Sequence, residues 1–211
     1  MSDEAHPVGN RLNALLTEAG LDPLDVTLTG RFEDYLSLLL RWNARVNLTS
    51  IRDEEGILKR HFVESIFCAR ALPVGVATLL DFGSGAGFPG IPVKLFAPEI
   101  GLTLIESHSK KATFLREVGR ALHLEGAQVF GGRAEEWGKT ADVVTLRAVE
   151  KFERALPVAA KLVAPGGRLC LLIGSGQVNA AQDLIGESWT WAKPVTVPKA
   201  AGRVVVIAER A

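Results

Sequence analysis

The first third of the chain carries apolar residues at the three- and four-residue intervals that place side chains on one face of an α-helix. These stripes predict three helices, which cover residues 11–19, 28–46 and 58–72. Gly20 and Pro73 follow the first and third stripes, and both residue types commonly stand just beyond a helix end. Residues 1–75 are therefore predicted to form an N-terminal helical region.

From residue 76 the pattern changes to short apolar runs that alternate with helical stretches. The runs predict five strands, at residues 78–82, 102–105, 127–130, 142–146 and 168–173. Helices are predicted between them at residues 109–122 and 152–162. Such alternation forms right-handed βαβ units, so residues 76–211 should fold around a parallel sheet that is covered on both faces. Two last runs, at residues 189–197 and 204–208, predict an antiparallel hairpin.

The composition fits a globular chain. Its 211 residues are 47% apolar and 23% charged, and a chain of this length can bury a core without disulfides or metals. Basic and acidic residues balance at 24 each, which argues against a protein that coats nucleic acid without specificity. The balance is uneven along the chain, because residues 1–75 carry 8 basic and 11 acidic residues and residues 76–211 carry 16 and 13.

Cysteine usage and hydropathy indicate a protein of a reducing compartment. Cys68 and Cys170 belong to no Cys-x-x-Cys or Cys/His cluster, so we predict two buried free thiols and no metal site. No apolar run approaches the ~20 residues of a membrane span. The acidic start, Met1–Glu4, lacks the apolar core of a signal peptide. We therefore expect a cytoplasmic protein with no membrane partner.

A glycine-rich loop joins the first predicted strand to a helix. It reads Asp81-Phe82-Gly83-Ser84-Gly85-Ala86-Gly87-Phe88-Pro89-Gly90. A dinucleotide-binding loop, Gly-x-Gly-x-x-Gly, would need its third glycine where Phe88 stands, and a P-loop would need a following Gly-Lys-Ser/Thr. What remains is the Gly-x-Gly-x-Gly loop of S-adenosylmethionine-dependent methyltransferases. Gly83, Gly85 and Gly87 are therefore predicted to lie against that cofactor.

An acidic residue just after the second predicted strand supports the same interpretation. The ends of the first two strands are neighbours in a doubly wound sheet, so Glu106 can accept hydrogen bonds from both ribose hydroxyls of a nucleoside. The alternative is a solvated loop carboxylate. The C-terminal hairpin also fits a methyltransferase sheet better than a dehydrogenase sheet. We therefore predict an α/β fold with a Rossmann-like, seven-stranded class I methyltransferase sheet.

Several blocks beyond the glycine loop carry a more particular pattern. They are Trp42-Asn43, Asn47-Leu48-Thr49, Arg60-His61, Phe88-Pro89-Gly90-Ile91-Pro92, Glu106-Ser107, Lys110-Lys111, Phe114-Leu115, Arg133-Ala134-Glu135 and Arg147-Ala148. With these blocks, between about Tyr35 and Val149, the chain resembles the glucose-inhibited division B family of 16S ribosomal RNA guanine-N7 methyltransferases. The resemblance implies methyl transfer from S-adenosylmethionine to N7 of a guanine in 16S ribosomal RNA.

The resemblance also implies which residues hold the cofactor. Phe88 would join the glycines in the methionine and adenosine pocket, and Glu106 would hold the ribose. Ala134 and Glu135 would flank the adenine, and Arg147 would border the pocket. Without the resemblance, Ala134 and Glu135 indicate only the first turn of a short helix.

Contacts to the RNA are expected from basic residues near the carboxyl ends of the strands. The predicted substrate-binding residues are Arg60, His61, Lys110 and Lys111. The alternative for this set is an ordinary solvated surface, and for His61 a hydrogen-bonded structural histidine. The partner would be 16S ribosomal RNA or the 30S ribosomal subunit, bound by a monomer.

Two positions depart from the family pattern. Glu64 stands where the family usually has Asp, and Ile173 stands where it usually has Lys before glycine. Loss of that lysine would remove a phosphate or substrate contact and so bears on RNA affinity or target choice.

The expected chemistry needs no catalytic acid or base. Guanine N7 carries a lone pair and no proton, so no catalytic residue of that kind is predicted. Two other functions stay open at this point: a methyltransferase that acts on a substrate other than RNA, and a module that binds S-adenosylmethionine without turnover.

Overall fold

The N-terminal region is helical, as predicted. A computed structural model describes residues 7–149 and 151–211, so the acidic start, Met1–Glu4, lies outside the described residues. The helical elements of this region are α1 (Pro7–Glu18), α2 (Val26–Asn43), α3 (Glu54–Ile57), a π-helical turn (Leu58–Val63) and α4 (Glu64–Ala71). α2 begins after Asp25, whose carboxylate accepts the backbone N–H of Leu28. It ends at Asn43 rather than Val46, because the Asn43 side chain binds the backbone of the following loop at Thr49 and Ile51.

The rest of the chain forms one mostly parallel sheet with helices on both faces. Its strands are β1 (Thr78–Phe82), β2 (Gly101–Ile105), β3 (Ala127–Phe130), β4 (Ala141–Arg147), β5 (Val163–Gly174), β6 (Trp189–Trp191), β7 (Val195–Thr196) and β8 (Arg203–Arg210). Its helices are α5 (Gly90–Phe96), α6 (Ser109–Ala121), α7 (Phe152–Lys161) and α8 (Val178–Ile185). The strand order is β3-β2-β1-β4-β5-β8-β6, with β8 antiparallel to its neighbours. The predicted fold class is confirmed, and the two-residue β7 adds an eighth strand beside β8.

Two elements of the sheet depart from their predicted bounds by more than two residues. The first arm of the C-terminal hairpin is broken into β6 and β7, because Pro194 lies between them and has no N–H to donate to a ladder. β5 begins at Val163 rather than at the predicted Arg168, so Pro165, Gly166 and Gly167 lie within the strand instead of before it. Its pairing with β4 passes from Ala141–Val163 directly to Val143–Arg168, so the intervening residues bulge out of the ladder.

Successive residues of a strand point to opposite faces of the sheet, and each face packs in its own hydrophobic cluster. Leu79 packs in the cluster that includes α1, α2, α5 and α6, whereas Leu80 packs in the cluster that includes α7 and α8. Cys68 and Cys170 are buried free thiols with their Sγ atoms 3.4 Å apart, as predicted. No helix in the described ranges is both long enough and apolar enough to cross a membrane.

Candidate cofactor and substrate site

A cavity of about 630 Å³ opens at the carboxyl ends of the central parallel strands. In doubly wound folds this edge of the sheet is where ligands bind, and the volume lies within the range of small-molecule sites. Of the predicted cofactor residues, five line it: Gly83, Gly85, Phe88, Glu106 and Arg147. Of the predicted substrate residues, Arg60, His61 and Lys111 do so as well. The fold thus brings most of both predicted sets to one cavity.

The glycines of the loop after β1 serve different purposes. Gly83 and Gly85 have φ of +65° and +56°, which a side chain would strain, and the nearest atom to a Cβ at Gly85 would be 3.9 Å away. Bare backbone therefore faces open cavity at Gly85. Gly87 does not line the cavity, because a Cβ there would meet the Tyr35 hydroxyl at 2.6 Å and also collide with Ile91. Its lack of a side chain permits close packing against α2 and α5.

Gly90 allows a helix and a strand to approach each other closely. In the dinucleotide-binding pattern that role belongs to the third glycine, which would stand where this chain has Phe88. A Cβ at Gly90 would lie 2.8 Å from both Asp81 Cβ and Leu104 Cδ2. α5 therefore packs directly on β1 and β2, and Phe88 is free to line the cavity.

Glu106 is buried and bound to the glycine loop. It is 8% exposed, and its Oε2 accepts the N–H of Gly85 at 2.9 Å while its Oε1 accepts the N–H of His108 at 2.7 Å. The alternative of a solvated loop carboxylate is therefore wrong. A carboxylate oxygen has two lone pairs, so both oxygens retain acceptor capacity toward the cavity.

Asp81, at the end of β1, stabilises the glycine loop through its buried carboxylate. Its buried carboxylate accepts hydrogen bonds from the Thr145 hydroxyl at 2.7 Å and from the Gly90 N–H at 3.3 Å. Burial raises the pKa of Asp81 to about 6, against the opposing effect of these bonds. The carboxylate links β1, β4 and the start of α5, and does not line the cavity.

The π-helical turn carries Arg60 and His61 to the rim and the wall of the cavity. Turns of this kind are frequent at functional sites. The buried imidazole of His61 stacks on Phe88 with ring centroids 4.6 Å apart, and its Nε2 lies 2.8 Å from the Thr49 hydroxyl. Burial first, and then the charges of Arg147 and Arg60, lower the pKa of His61 to about 3. His61 therefore offers the site a neutral ring rather than a positive charge.

Arg147, which lines the cavity, is anchored by Glu64, which does not. Its guanidinium donates to Glu64 Oε2 at 3.0 Å and to the backbone carbonyl of Arg60 at 2.5 Å. Both side chains are buried, and burial lowers the pKa of Arg147 despite its pairing with Glu64. Arg203, which sequence reasoning missed, lies 3.7 Å from the same Glu64 oxygen. The acidic side chain at position 64 thus orients a residue of the cavity wall.

Some predicted site residues lie outside the cavity lining. Ala134 is buried and Glu135 exposed in a 3₁₀ turn (Ala134–Glu136), and neither lines the cavity. Lys110 lies in a neighbouring shallow groove with Arg45 and Asn47. Ile173 is 2% exposed, packs in the hydrophobic cluster with α7 and α8, and does not line the cavity.

Tyr35 connects the N-terminal helices to the glycine loop, and no local sequence signal marks it for that role. Its fully buried hydroxyl donates to the carbonyl of Ala86 at 2.5 Å. Its ring stacks on Phe62 and Phe88 with centroids 5.4 Å away in each case. α2 therefore fixes the backbone between Gly85 and Gly87. Among the described residues, no three His, Cys, Asp or Glu side chains converge as they would around a metal ion.

Comparison with known proteins shows a matching family and a matching fold. The family model described as rRNA small subunit methyltransferase G matches residues 29–199. The ribosomal RNA small subunit methyltransferase G of Roseiflexus sp. (strain RS-1) is 38% identical over 196 residues, which cover 87% of this chain and 84% of that protein. The protein of the same name from Halorhodospira halophila is 44% identical over 153 residues, 72% of either chain.

Solved structures of lower identity share the fold. A ribosomal protein L11 methylase from Lactobacillus delbrueckii subsp. bulgaricus has a TM-score of 0.61 at 13% identity, covering 72% of this chain and 79% of that one. The mitomycin 7-O-methyltransferase MmcR has a TM-score of 0.62 at 18% identity, covering 87% of this chain and 68% of that one.

Proposed function

The chain belongs to the family of ribosomal RNA small subunit methyltransferase G, and on that premise we propose that it methylates N7 of a guanine in 16S ribosomal RNA with S-adenosylmethionine as the methyl donor. The observation that carries the proposal is the cavity at the carboxyl ends of β1, β2 and β4. It joins a glycine loop with open backbone, a buried carboxylate and basic residues in one space.

The residues of this cavity fit S-adenosylmethionine. The bare backbone at Gly85 leaves room for a ligand in direct contact with the loop, whereas a Cβ at Gly83 would lie 3.2 Å from Val149 Cγ1. Glu106 retains acceptor capacity for ribose hydroxyls. Phe88 supplies an apolar wall. When bound, the cofactor supplies an electrophilic methyl group on a sulfonium. Ala134 and Glu135 stay as proposed adenine contacts from the family resemblance alone.

The protein's task in this reaction is to position the two reactants. Guanine N7 attacks through a lone pair and loses no proton, so no side chain has to act as a general base. Holding the base in line with the methyl group is the step that an active site can accelerate, and orientation of this kind contributes ~7–11 kcal/mol in favourable cases. Tyr35 and Asp81 fix the loop, and Glu64 fixes Arg147.

The neutral state of His61 suits a site where positive charge moves from sulfur to the base. A protonated imidazole beside Phe88 would oppose that charge, whereas the buried neutral ring does not. Arg60 and Lys111, at the rim, are proposed to contact RNA phosphates together with Lys110. We place the protein in the cytoplasm as a monomer that acts on 16S ribosomal RNA or on the 30S subunit.

Methyl transfer from tritium-labelled S-adenosylmethionine tests the proposal. The acceptors are 30S subunits, deproteinised 16S ribosomal RNA and a whole-cell lysate from which ribosomes have been removed. We expect label in RNA from the first or second acceptor. Label only in the ribosome-free lysate would indicate a substrate other than RNA, and cofactor binding without any transfer would indicate a binding module.

A further inference from the structure

A second cavity, of about 390 Å³, lies between α1, the π-helical turn and the turn that joins β7 to β8. Its apolar lining includes Leu15, Val63 and Ala200, and its basic lining consists of Lys59, Arg60, Lys199 and Arg203. Arg60 and Arg203 also line the cavity at the glycine loop. The two cavities therefore meet at these arginines.

In the described part of the chain, some of the basic side chains that line the second cavity are not neutralised by an acidic partner. The two carboxylates of this cavity already have basic partners, since Glu18 lies 3.5 Å from Arg11, and Glu64 pairs with Arg147 and also lies 3.7 Å from Arg203. Lys59 is paired with Glu55 at 2.8 Å. Within residues 7–149 and 151–211, the side chains of Arg60 and Lys199 have no acidic partner within salt-bridge distance. Both are exposed. An anion is the ligand that this arrangement favours.

The lining of the second cavity favours one anion in particular. Aliphatic and basic side chains line it together, which suits a nucleotide, because its base can contact the aliphatic side chains while its phosphate meets the cations. A volume of about 390 Å³ accommodates a ligand of that size. A polynucleotide that places one base in the cavity at the glycine loop would pass Arg60 and Arg203 on its way out.

We propose that the second cavity binds a nucleotide that flanks the target guanosine, with its phosphate held by Arg60, Lys199 and Arg203. The proposal rests on the proposed function, because it takes the cavity at the glycine loop as the place of the target base. It assigns a substrate-binding role to the turn between β7 and β8. It also makes Arg60 and Arg203 the link between the two subsites.

Lys199→Glu is the variant that tests the proposal, because Lys199 lines the second cavity and not the cavity at the glycine loop. Lys193→Glu is its matched control: Lys193 is an exposed lysine of the same C-terminal segment and lines neither cavity. Lys199→Arg keeps the charge and should keep the function. The measurements are the affinity for 30S subunits as a function of salt, KM and kcat for methyl transfer, and the Kd for S-adenosylmethionine by calorimetry.

We expect Lys199→Glu to raise the KM and the Kd for 30S subunits about tenfold, with kcat and the cofactor Kd within twofold of wild type. The slope of log affinity against log salt should fall by about 0.7–0.9, as for the loss of one phosphate contact. Equal effects in Lys199→Glu and Lys193→Glu, or a tenfold rise in the cofactor Kd, would overturn the second subsite.

The two proposals fail in different ways. If the wild-type protein bound 30S subunits in a Lys199-dependent manner but transferred no methyl group, the proposed function would fall, and the second cavity would remain an RNA-binding subsite with no target guanosine beside it. If methyl transfer and 30S affinity were the same in wild type and Lys199→Glu, the second subsite would fall and the proposed function would stand.

Discussion

Glu106 fixes the glycine loop and faces the ligand cavity with the same carboxylate. Replacing it with Ala removes the acceptors that we assign to the ribose hydroxyls, so the affinity for S-adenosylmethionine should fall by roughly 1–3 kcal/mol. Isothermal titration calorimetry measures the loss. Glu125→Ala is the control, because Glu125 is exposed just before β3, at the opposite edge of the sheet. Equal cofactor affinity in wild type and Glu106→Ala would remove Glu106 from the cofactor site.

His61 makes the stability of the protein depend on pH. In the unfolded chain it binds a proton near pH 6.5, and in the folded protein only near pH 3. Between these values the unfolded chain binds more protons, so the free energy of unfolding should fall as the pH drops from about 6.5 toward 3. Asp81 has the opposite effect on the free energy of unfolding. Its pKa is 3.8 in the unfolded chain and about 6 in the folded protein, so between these values the folded protein binds more protons and is stabilised as the pH falls.

Urea denaturation of wild type and His61→Gln between pH 4 and pH 7 separates the two residues. The variant should lose less stability on acidification than wild type, by an amount on the order of 1–3 kcal/mol at pH 4. Parallel pH profiles for the two proteins would contradict a buried neutral His61.

At the scale of elements, α2 is coupled to the glycine loop through one hydroxyl. Tyr35→Phe keeps the stacked ring and removes the hydrogen bond to Ala86. The loop then loses a contact worth about 0.5–1.5 kcal/mol, and cofactor affinity should weaken severalfold with only a small change in Tm. Phe32→Leu, which alters packing against Phe62 but no polar contact to the loop, is the control. It should lower Tm more than it lowers cofactor affinity, and the reverse ranking would contradict the coupling.

Elements built from local pattern could be predicted from the sequence, and those that depend on distant packing could not. β1 and β3 have the predicted bounds because their apolar runs end at polar or glycine residues. α8 was missed, since only Val178 and Ala181 of its residues are buried and they make too short a stripe to recognise. The π-helical turn has no sequence signature of its own.

The residues of the candidate site also divide into those that local sequence predicts and those that depend on distant packing. Gly83, Gly85 and Glu106 follow from a loop and a strand order that the sequence specifies, and they reach the cavity. Arg203 could not be predicted, because it comes to Glu64 only through the pairing of β8 with β5. Tyr35 likewise meets Ala86 only when α2 packs on the sheet.

For the whole molecule, the balance of 24 basic and 24 acidic residues limits how RNA is held. Since the net charge is zero, affinity has to come from a few cations around the cavities rather than from a uniformly basic surface. Recognition of RNA by this protein is therefore expected to be local.

The double variant Lys110→Ala/Lys111→Ala tests whether a few local cations provide the affinity for RNA. Each lysine that contacts phosphate should contribute about 0.7–0.9 to the slope of log affinity for 16S ribosomal RNA against log salt, so the variant's slope should be smaller. Lys139→Ala/Lys161→Ala removes the same charge at the opposite edge of the sheet, before β4 and β5, and serves as the control. A slope that changes equally in both double variants would assign the effect to net charge alone.

Chemical mapping of the methylated base tests the central claim most directly. Methylation at N7 makes a guanine sensitive to borohydride reduction followed by aniline cleavage, and primer extension then locates the cleaved nucleotide. After incubation of 16S ribosomal RNA or 30S subunits with wild-type protein and S-adenosylmethionine, we expect one new cleavage at a guanine, weaker with Glu106→Ala at the same low concentration of cofactor. RNA that carries the methyl label but shows no new cleavage would contradict transfer to N7.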